Sequence, residues 1–171
     1  KPDLESSSGA SYMKKIGLVV NPIAGMGGSV GLKGTDGPEV LQKAVELGAK
    51  PVAPQRAVRL LRALTPVRHK FELLTYPKDM GENECIEAEF PAHVVGKLDS
   101  EKTTAADTKR AVREFLDKNC ELIVVVGGDG TILKTCLQLP KPEPPILPIN
   151  MGSRGFLAEV PPEKASEALE R

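Results

Sequence analysis

The sequence predicts an α/β fold, in which an open, mostly parallel Rossmann-like sheet is flanked by helices. Short apolar segments alternate with longer amphipathic ones along most of the chain. This alternation is typical of a parallel sheet with right-handed crossovers. The clearest strand covers residues 122–126, a continuous run of Leu, Ile and Val. Such a run is typical of a strand that is buried on both faces.

The other elements are predicted in order from the same alternation. We expect strands at about 16–21, 70–77, 92–96 and 146–150, with 155–160 as a further candidate. Helices are expected at about 38–48, 55–64 and 105–118, and 79–90 is a weak helix or a loop. Residues 161–171 are expected to form a closing helix with proline at its start. The side chains expected to face inward from the three longer helices are Leu41, Ala44 and Val45, then Ala57, Leu60, Leu61 and Leu64, then Val112, Phe115 and Leu116.

The composition indicates one domain or slightly more, and it excludes several classes of function. Hydrophobic residues make up 40% of the 171 residues, which is enough for a core, and the net charge is zero. A neutral chain gives no electrostatic argument for nucleic acid or an anionic membrane as a partner. Aromatic residues are 4% and Trp is absent, which argues against a base-stacking surface. No apolar stretch approaches the ~20 residues of a membrane span.

The cysteines and the amino-terminal residues bear on location. Cys85, Cys120 and Cys136 are odd in number and widely spaced, which favours a reducing cytoplasm and argues against a structural zinc site. Cys120 adjoins the clearest strand and is expected in the core. Residues 1–12 are polar and serine-rich, so we expect a disordered tail or a remnant of cloning.

A candidate phosphate-binding loop, GGDGT at 127–131, follows the clearest strand and leads into a predicted helix. Gly127 and Gly128 are expected to allow a tight turn with positive φ. Open α/β sheets bind ligands at this edge, and a helix amino terminus favours anions. Asp129 would repel a phosphate unless it holds Mg²⁺ or takes a proton from an attacking hydroxyl. The alternative is an ordinary turn in which Asp129 caps the helix.

A glycine-rich loop, AGMGGSVGLKGTDG, follows the first strand. It is not a P-loop, because Leu32 precedes Lys33 where glycine is required. It is not the dinucleotide fingerprint either, because a match from Gly25 would need glycine in place of Val30. We expect a mobile loop over the carboxyl edge of the sheet, with Asn21 bonding a ligand or holding the turn. The alternative is a flexible surface loop.

A third loop, INMGSRGFLAEV at 149–160, follows another predicted strand. Asn150 and Gly152 mark a bend in it. Arg154 is expected to meet either a phosphate or solvent, and Phe156 either a ligand or the core. The position of this loop after a strand makes ligand contact a reasonable hypothesis.

These three loops together resemble the ATP-dependent NAD kinase family, which includes enzymes that use inorganic polyphosphate. The marks are NPIAG after the first strand, GGDGT after a later one, and INMGSRGFL beyond it, over roughly residues 13–160. The long glycine-rich loop is similar to that of the archaeal-type branch. GGDGT alone is shared with lipid kinases and phosphofructokinases. The third motif discriminates, because lipid kinases carry Pro-x-Gly-Thr-x-Asn-Asp at that place.

The resemblance implies a reaction and a set of roles. ATP, or polyphosphate, would donate a phosphoryl group to the 2′-hydroxyl of the NAD adenosine ribose, giving NADP, with Mg²⁺ or another divalent cation expected. Asp129 would engage the ribose hydroxyls and help to deprotonate the attacking one. The other nucleotide-binding positions implied are Asn21, Gly25 and Gly27 on the donor side, Gly127, Gly128, Gly130 and Thr131 around the phosphates, and Asn150, Gly152, Arg154 and Phe156 in the third loop, with Phe156 near the adenine.

The resemblance also implies a larger cytoplasmic enzyme, a homo-oligomer with NAD and ATP as partners and neither nucleic acid nor membrane. Family members continue into an all-β domain with an Asn-Glu/Asp pair and a Thr-Pro-Thr-Gly-Ser-Thr-like segment, and neither occurs here. We therefore expect residues 13–160 to be the nucleotide-binding domain of a longer chain and 161–171 a helix leading towards the second domain. By itself such a chain would bind nucleotides weakly and turn over poorly.

Two other functions are compatible with the loops. One is a different GGDGT-type kinase, acting on a lipid or a small metabolite; a lipid substrate would call for an apolar, basic docking segment, which the sequence does not display. The other is a non-catalytic nucleotide-binding relative that keeps the loop and lacks the chemistry.

Overall fold

The computed structural model describes residues 12–35, 37–149, 157 and 160–171. The expected tail, apart from Tyr12, lies outside the described residues. So do Asn150, Gly152, Arg154 and Phe156 of the third loop, and most of the candidate strand at 155–160.

A parallel sheet of five strands forms the centre of the described fold, which confirms the α/β class. The strands are β1 (Lys14–Val20), β2 (Phe71–Thr75), β3 (His93–Val94), β4 (Leu122–Val126) and β5 (Ile146–Ile149). Their order across the sheet is β3-β2-β1-β4-β5. The register pairs Val20 with Val126, so β1 and β4 end side by side and the loops that follow them start at the same edge.

Helices connect the strands. They are α1 (Met26–Ser29), α2 (Pro38–Glu46), α3 (Ala53–Leu64), α4 (Glu82–Glu87), α5 (Ala105–Asp117), α6 (Asp129–Cys136) and α7 (Ala165–Leu169), and short 3₁₀ segments lie at Thr65–Lys70, Lys78–Met80 and Pro162–Lys164. The weak helix expected near 79–90 is confirmed as α4. α1, which interrupts the glycine-rich loop, was not predicted. Among the described residues, no helix is long and apolar enough to cross a membrane.

Each face of the sheet buries its own core. On one face, Leu18 and Val124 pack with α3, α4 and α7. On the other, Val19 and Val125 pack with α5 and α6. Neighbouring residues of β1 and β4 thus point to opposite cores, because successive side chains of a strand alternate between faces. This is why both strands are apolar at nearly every position.

Most of the expected inward-facing side chains are buried. The four predicted on α3 are buried, as are Val112 and Phe115 on α5, while Leu116 is partly buried. Cys120 is also buried, as expected. The prediction for Val45 is wrong, because its side chain is 55% exposed. α2 buries only Ala44 fully and packs against the short α1, so its apolar stripe is narrower than the sequence indicates.

Candidate functional site

The candidate site is built where β1 and β4 end. The backbone N–H of Asn21 donates to the carbonyl oxygen of Val126 at 2.9 Å, which extends the pairing of the two strands by one bond. The chain leaves β1 into the glycine-rich loop and leaves β4 into GGDGT. Both loops therefore start from one rigid point on the sheet.

Asn21 joins the two loops through its side chain. Its Nδ2 donates to Oγ1 of Thr131 at 2.9 Å, and its Oδ1 accepts from the backbone N–H of Ile23 at 3.3 Å. The second bond closes an Asx turn at the start of the glycine-rich loop. Of the two roles expected for Asn21, the structure supports holding the turn.

The GGDGT segment passes from strand to helix without the positive-φ turn that the sequence predicts. Gly128 has φ −81° and ψ 179° and stands immediately before α6, and Gly127 is not among the glycines with positive φ. The prediction of positive φ at these two glycines is therefore wrong, because an extended residue leads from the strand straight into the helix. Asp129 is the first residue of α6. It does not occupy the capping position, so the simple helix-cap alternative is also wrong.

Gly127 is required for a different reason, which is the close approach of Thr131. A Cβ atom at Gly127 would lie 2.7 Å from the Cβ of Thr131. Thr131 is buried, and its backbone carbonyl accepts a hydrogen bond from Oγ1 of Thr135 at 2.9 Å. The first turn of α6 is thereby packed directly against the end of β4.

The start of α6 presents both backbone donors and a carboxylate. The first intrahelical bond runs from the N–H of Ile132 to the carbonyl of Gly128 at 3.1 Å. The N–H groups of Gly130 and Thr131 precede that bond, and N–H groups in the first turn of a helix have no intrahelical acceptor. Such groups are available to an anion.

Asp129 also reaches the third loop. Its Oδ1 accepts a hydrogen bond from the backbone N–H of Leu157 at 3.2 Å. Beside this contact, Val160 forms a parallel bridge with Ile149, the last residue of β5. Nothing in the sequence marked Leu157 as a partner of Asp129, because the contact joins backbone to side chain across 28 residues.

The glycine-rich loop is folded on itself. Gly25 has a φ of 79°, and α1 follows it. The N–H of Gly27 donates to Oγ1 of Thr35 at 3.1 Å, and a Cβ atom at Gly27 would lie 1.6 Å from the carbonyl oxygen of Gly34. Position 27 therefore requires glycine, because the backbone of Gly34 lies too close for any side chain. Thr35, which the sequence did not single out, holds the two arms of the loop together, and Lys33 is exposed.

A divalent cation has few protein ligands here. Among the described residues, no three His, Cys, Asp or Glu side chains are grouped so that they could hold a metal ion. Mg²⁺ in phosphoryl-transfer enzymes is held by one or two carboxylates together with substrate phosphates and water. Within the described part of the chain, Asp129 thus contributes one carboxylate to the candidate site and belongs to no such group of three.

The fold and the site define an α/β domain of the class that binds ligands beyond the carboxyl ends of its strands, at a helix amino terminus. Comparison with known proteins narrows the class. The chain belongs to the ATP-NAD kinase family, since the sequence model of the ATP-NAD kinase N-terminal domain matches residues 16–171.

Individual relatives match over shorter stretches. The chain is 49% identical to an NAD kinase of Methanosarcina acetivorans over 59 residues, which are 34% of this chain and 21% of that protein. It is 52% identical to an NAD kinase of Methanothermobacter thermautotrophicus over 57 residues, 33% of this chain and 20% of that protein. A third NAD kinase, from Methanosphaera stadtmanae, is 36% identical over 97 residues, 57% of this chain and 32% of that protein. The chain thus matches a fifth to a third of the length of these curated relatives.

Proposed function

We propose that this chain supplies the nucleotide-binding half of an NAD kinase, in which a phosphoryl group passes from ATP to the 2′-hydroxyl of the NAD adenosine ribose. The observation that carries the proposal is the position of Asp129. It starts α6 beside the backbone donors of the GGDGT turn, and its carboxylate accepts a hydrogen bond from the backbone of Leu157. Family membership and the names of the relatives support the same reaction.

In the proposed mechanism Asp129 acts on the acceptor. Its carboxylate accepts the proton of the ribose 2′-hydroxyl as that oxygen attacks the γ-phosphorus. The bond from the γ-phosphorus to the bridging oxygen breaks, and ADP leaves. A phosphoryl transfer of this kind depends mainly on positioning and on charge neutralisation. One well-placed carboxylate is therefore sufficient as the general base.

The backbone would neutralise and orient the phosphates. The N–H groups in the first turn of α6 are placed to donate to phosphate oxygens, with the positive end of the helix dipole behind them. Asn21 would keep the glycine-rich loop at a fixed distance from this turn through its bond to Thr131. Mg²⁺, when bound with the nucleotide, would neutralise further phosphate charge, and the carboxylate of Asp129 would be available as one of its ligands.

The proposal is tested by calorimetric titration of the chain with NAD, then with ATP, in the presence of Mg²⁺, together with an assay of NADP formation in a longer chain that includes the relatives' remaining length. Three variants separate the roles of Asp129. Asp129→Asn retains an oxygen that can accept from Leu157 but loses the charge, whereas Asp129→Ala loses both. Cys136→Ser, an exposed position further along the same helix, is the control. Titration with polyphosphate in place of ATP distinguishes the donor.

We expect NAD to bind the wild-type chain and Asp129→Asn, and to bind Asp129→Ala more weakly. NADP formation should be lost in both Asp129 variants, by a factor of roughly 10² or more, as for the removal of a general base. If Asp129→Asn forms NADP at the wild-type rate, Asp129 is not the base. Saturable NAD binding without any NADP formation, even in a longer chain that includes the relatives' remaining length, would instead identify a non-catalytic nucleotide-binding relative.

A further inference from the structure

A cavity of about 280 Å³ lies beside β2, on the side of the sheet that β3 occupies. The start of β2 forms one wall, and the segment 90–93, which leads into β3, forms the other. β3 pairs only with Leu74 and Thr75, so the first half of β2 has no described strand on this side. The cavity is therefore a gap between β2 and the segment 90–93, and we call it the edge notch.

The edge notch lies away from the candidate nucleotide site. All strands of a parallel sheet begin at one end of the sheet and finish at the other. Phe71, the first residue of β2, lines the notch, whereas GGDGT follows the last residue of β4. The volume of the notch is also slightly below the range of about 300–1,000 Å³ that is usual for ligand pockets. It therefore suits a molecule smaller than a nucleotide.

The notch offers an apolar contact surface. The rings of Phe71 and Phe90 stack across it, with their centroids 6.2 Å apart and an angle of 22° between their planes. Both side chains are buried, as is that of Leu73, which also lines the notch. An apolar group that enters the notch would thus lose water on contact with two aromatic rings and one aliphatic side chain.

Two side chains of opposite charge line the same notch. Arg68 precedes β2 and is exposed, and Glu72 lies within β2 and is half-buried. Within the described part of the chain, neither takes part in an ion pair, with the other or with a third residue. Their neighbour Lys70, by contrast, is bonded to Glu170 at 3.2 Å. The notch therefore presents one cation and one carboxylate, each available to a ligand.

The backbone of Phe71 adds a further donor and acceptor. The carbonyl of Thr75 accepts from the N–H of Val95 at 2.9 Å, so Thr75 directs its backbone groups towards the β3 side. Successive residues of a strand direct these groups to alternate sides, and Phe71 therefore directs its own to the same side as Thr75. β3 does not extend that far. Backbone groups at such a position are satisfied by water or by a ligand.

We propose that the edge notch binds a free α-amino acid with an apolar side chain. The ligand carboxylate pairs with the guanidinium of Arg68, and its ammonium group pairs with Glu72 and the carbonyl of Phe71. The side chain contacts the rings of Phe71 and Phe90. Glu72 would oppose a simple anion, and Arg68 a simple cation. The two charges of an amino acid are close together, as a notch of this size requires.

The experiment is calorimetric titration of the 171-residue chain with L-leucine and L-phenylalanine. Three further probes each lack one feature: 4-methylpentanoate lacks the ammonium group, 3-methylbutylamine lacks the carboxylate, and L-aspartate lacks the apolar side chain. The variants are Arg68→Gln and Glu72→Gln. Their matched controls are Arg62→Gln and Glu39→Gln, two exposed positions on α3 and α2 that do not line the notch.

We expect at least one of the two apolar amino acids to bind saturably, with a dissociation constant below about 1 mM. Each of the three deficient probes should bind roughly tenfold more weakly or worse. Arg68→Gln and Glu72→Gln should weaken binding by a similar factor, because a hydrogen bond to a charged group contributes that much. The controls should bind like the wild type. Circular dichroism checks the fold, and 4-methylpentanoate tests the Glu72 contact without any substitution.

Three results would each overturn the proposal. The first is the absence of saturable binding of both apolar amino acids at about 1 mM. The second is equal affinity for L-leucine and for the two analogues that lack one of its charges, since the notch would then recognise the apolar group alone. The third is wild-type affinity in both Arg68→Gln and Glu72→Gln, which would place the bound amino acid elsewhere on the chain.

Discussion

Oγ1 of Thr131 accepts a hydrogen bond from Nδ2 of Asn21 at 2.9 Å, although the two residues are 110 positions apart in the chain. The bond ties the loop after β1 to the first turn of α6. The geometry of the glycine-rich loop and that of the GGDGT turn therefore depend on each other.

Removing either partner of this bond should destabilise the chain. We expect Asn21→Ala and Thr131→Val each to lower the free energy of unfolding, and the double variant to lose less than the sum. The coupling energy should be about 0.5–1.5 kcal/mol, the usual net value of one hydrogen bond. Urea denaturation of the four proteins measures it. A coupling energy of zero would mean that the bond is absent in solution.

The close packing of Gly127 gives a sharp test of the turn. Gly127→Ala places a methyl group 2.7 Å from the Cβ of Thr131, and overpacking of this kind costs about 1–3 kcal/mol. Gly128→Ala is the matched control, because nothing lies within 4 Å of its Cβ and its φ is negative. Thermal unfolding of both variants makes the comparison, and equal losses would contradict the packing.

The glycine-rich loop allows a second comparison of neighbouring glycines. Gly27→Ala would bring a Cβ atom to 1.6 Å from the backbone oxygen of Gly34, whereas Gly28→Ala meets nothing within 4 Å. We expect Gly27→Ala to open the loop and to weaken ATP binding in calorimetry, and Gly28→Ala to leave it unchanged. If both variants bind ATP like the wild type, the loop does not contribute to the donor site.

A buried carboxyl group should make stability depend on pH. Glu84 is 3% exposed and its Oε2 has no hydrogen-bond partner among the described residues. Burial, opposed in part by the backbone N–H groups of Glu84 and Gly81, raises the pKa of Glu84 to about 7. The folded chain then binds a proton more tightly than the unfolded chain does. Stability should therefore fall as the pH rises from about 4.5 to 7 and level off above that.

Glu84→Gln keeps the shape of the side chain and removes the titration. At pH 8 it should be more stable than the wild type by about 1–3 kcal/mol, and at pH 4.5 nearly equal to it. Urea denaturation at several pH values is the measurement, with Glu121→Gln, an exposed glutamate elsewhere in the chain, as control. A wild-type curve parallel to that of Glu84→Gln would show that the pKa is not raised.

The three cysteines should react very differently. Cys85 and Cys120 are buried, and burial raises the pKa of the Cys85 thiol to about 12 and that of Cys120 to about 11. Cys136 is exposed. Because the thiolate is the reactive form, a thiol reagent at pH 7 should label one cysteine in the native chain and three in urea. Loss of native labelling in Cys136→Ser identifies the site.

The local hydrophobic pattern was sufficient to predict strands that are buried on both faces and helices with one clear apolar stripe. Residues 122–126 form β4 as predicted, and the apolar stripe of α3 is buried in full. Prediction failed where a neighbour decides the outcome. Val45 is exposed because little packs against α2, and Gly127 is required by the position of Thr131, which no local pattern reveals.

The residues of the candidate site also fall into those that the sequence identified and those that it did not. Asn21 and Asp129 were identified from their places after strands, because the end of a strand can be read from the sequence. Their partners, Thr131 and Leu157, depend on register and on the path of distant loops. Glu84 was missed altogether, since a glutamate in a weakly amphipathic segment carries no sign that it is buried.

The position of β1 in the middle of the sheet has a consequence for the synthesis of the chain. β1 is made before the other described strands, yet one of its two neighbours is β4, whose last residue emerges about a hundred positions later. Until then a growing chain on the ribosome holds an apolar strand with one open side, which invites aggregation. Asn21 finds Thr131 only after that gap is closed. A nascent chain released early thus lacks both the β1–β4 pairing and the hydrogen bond that joins the two loops.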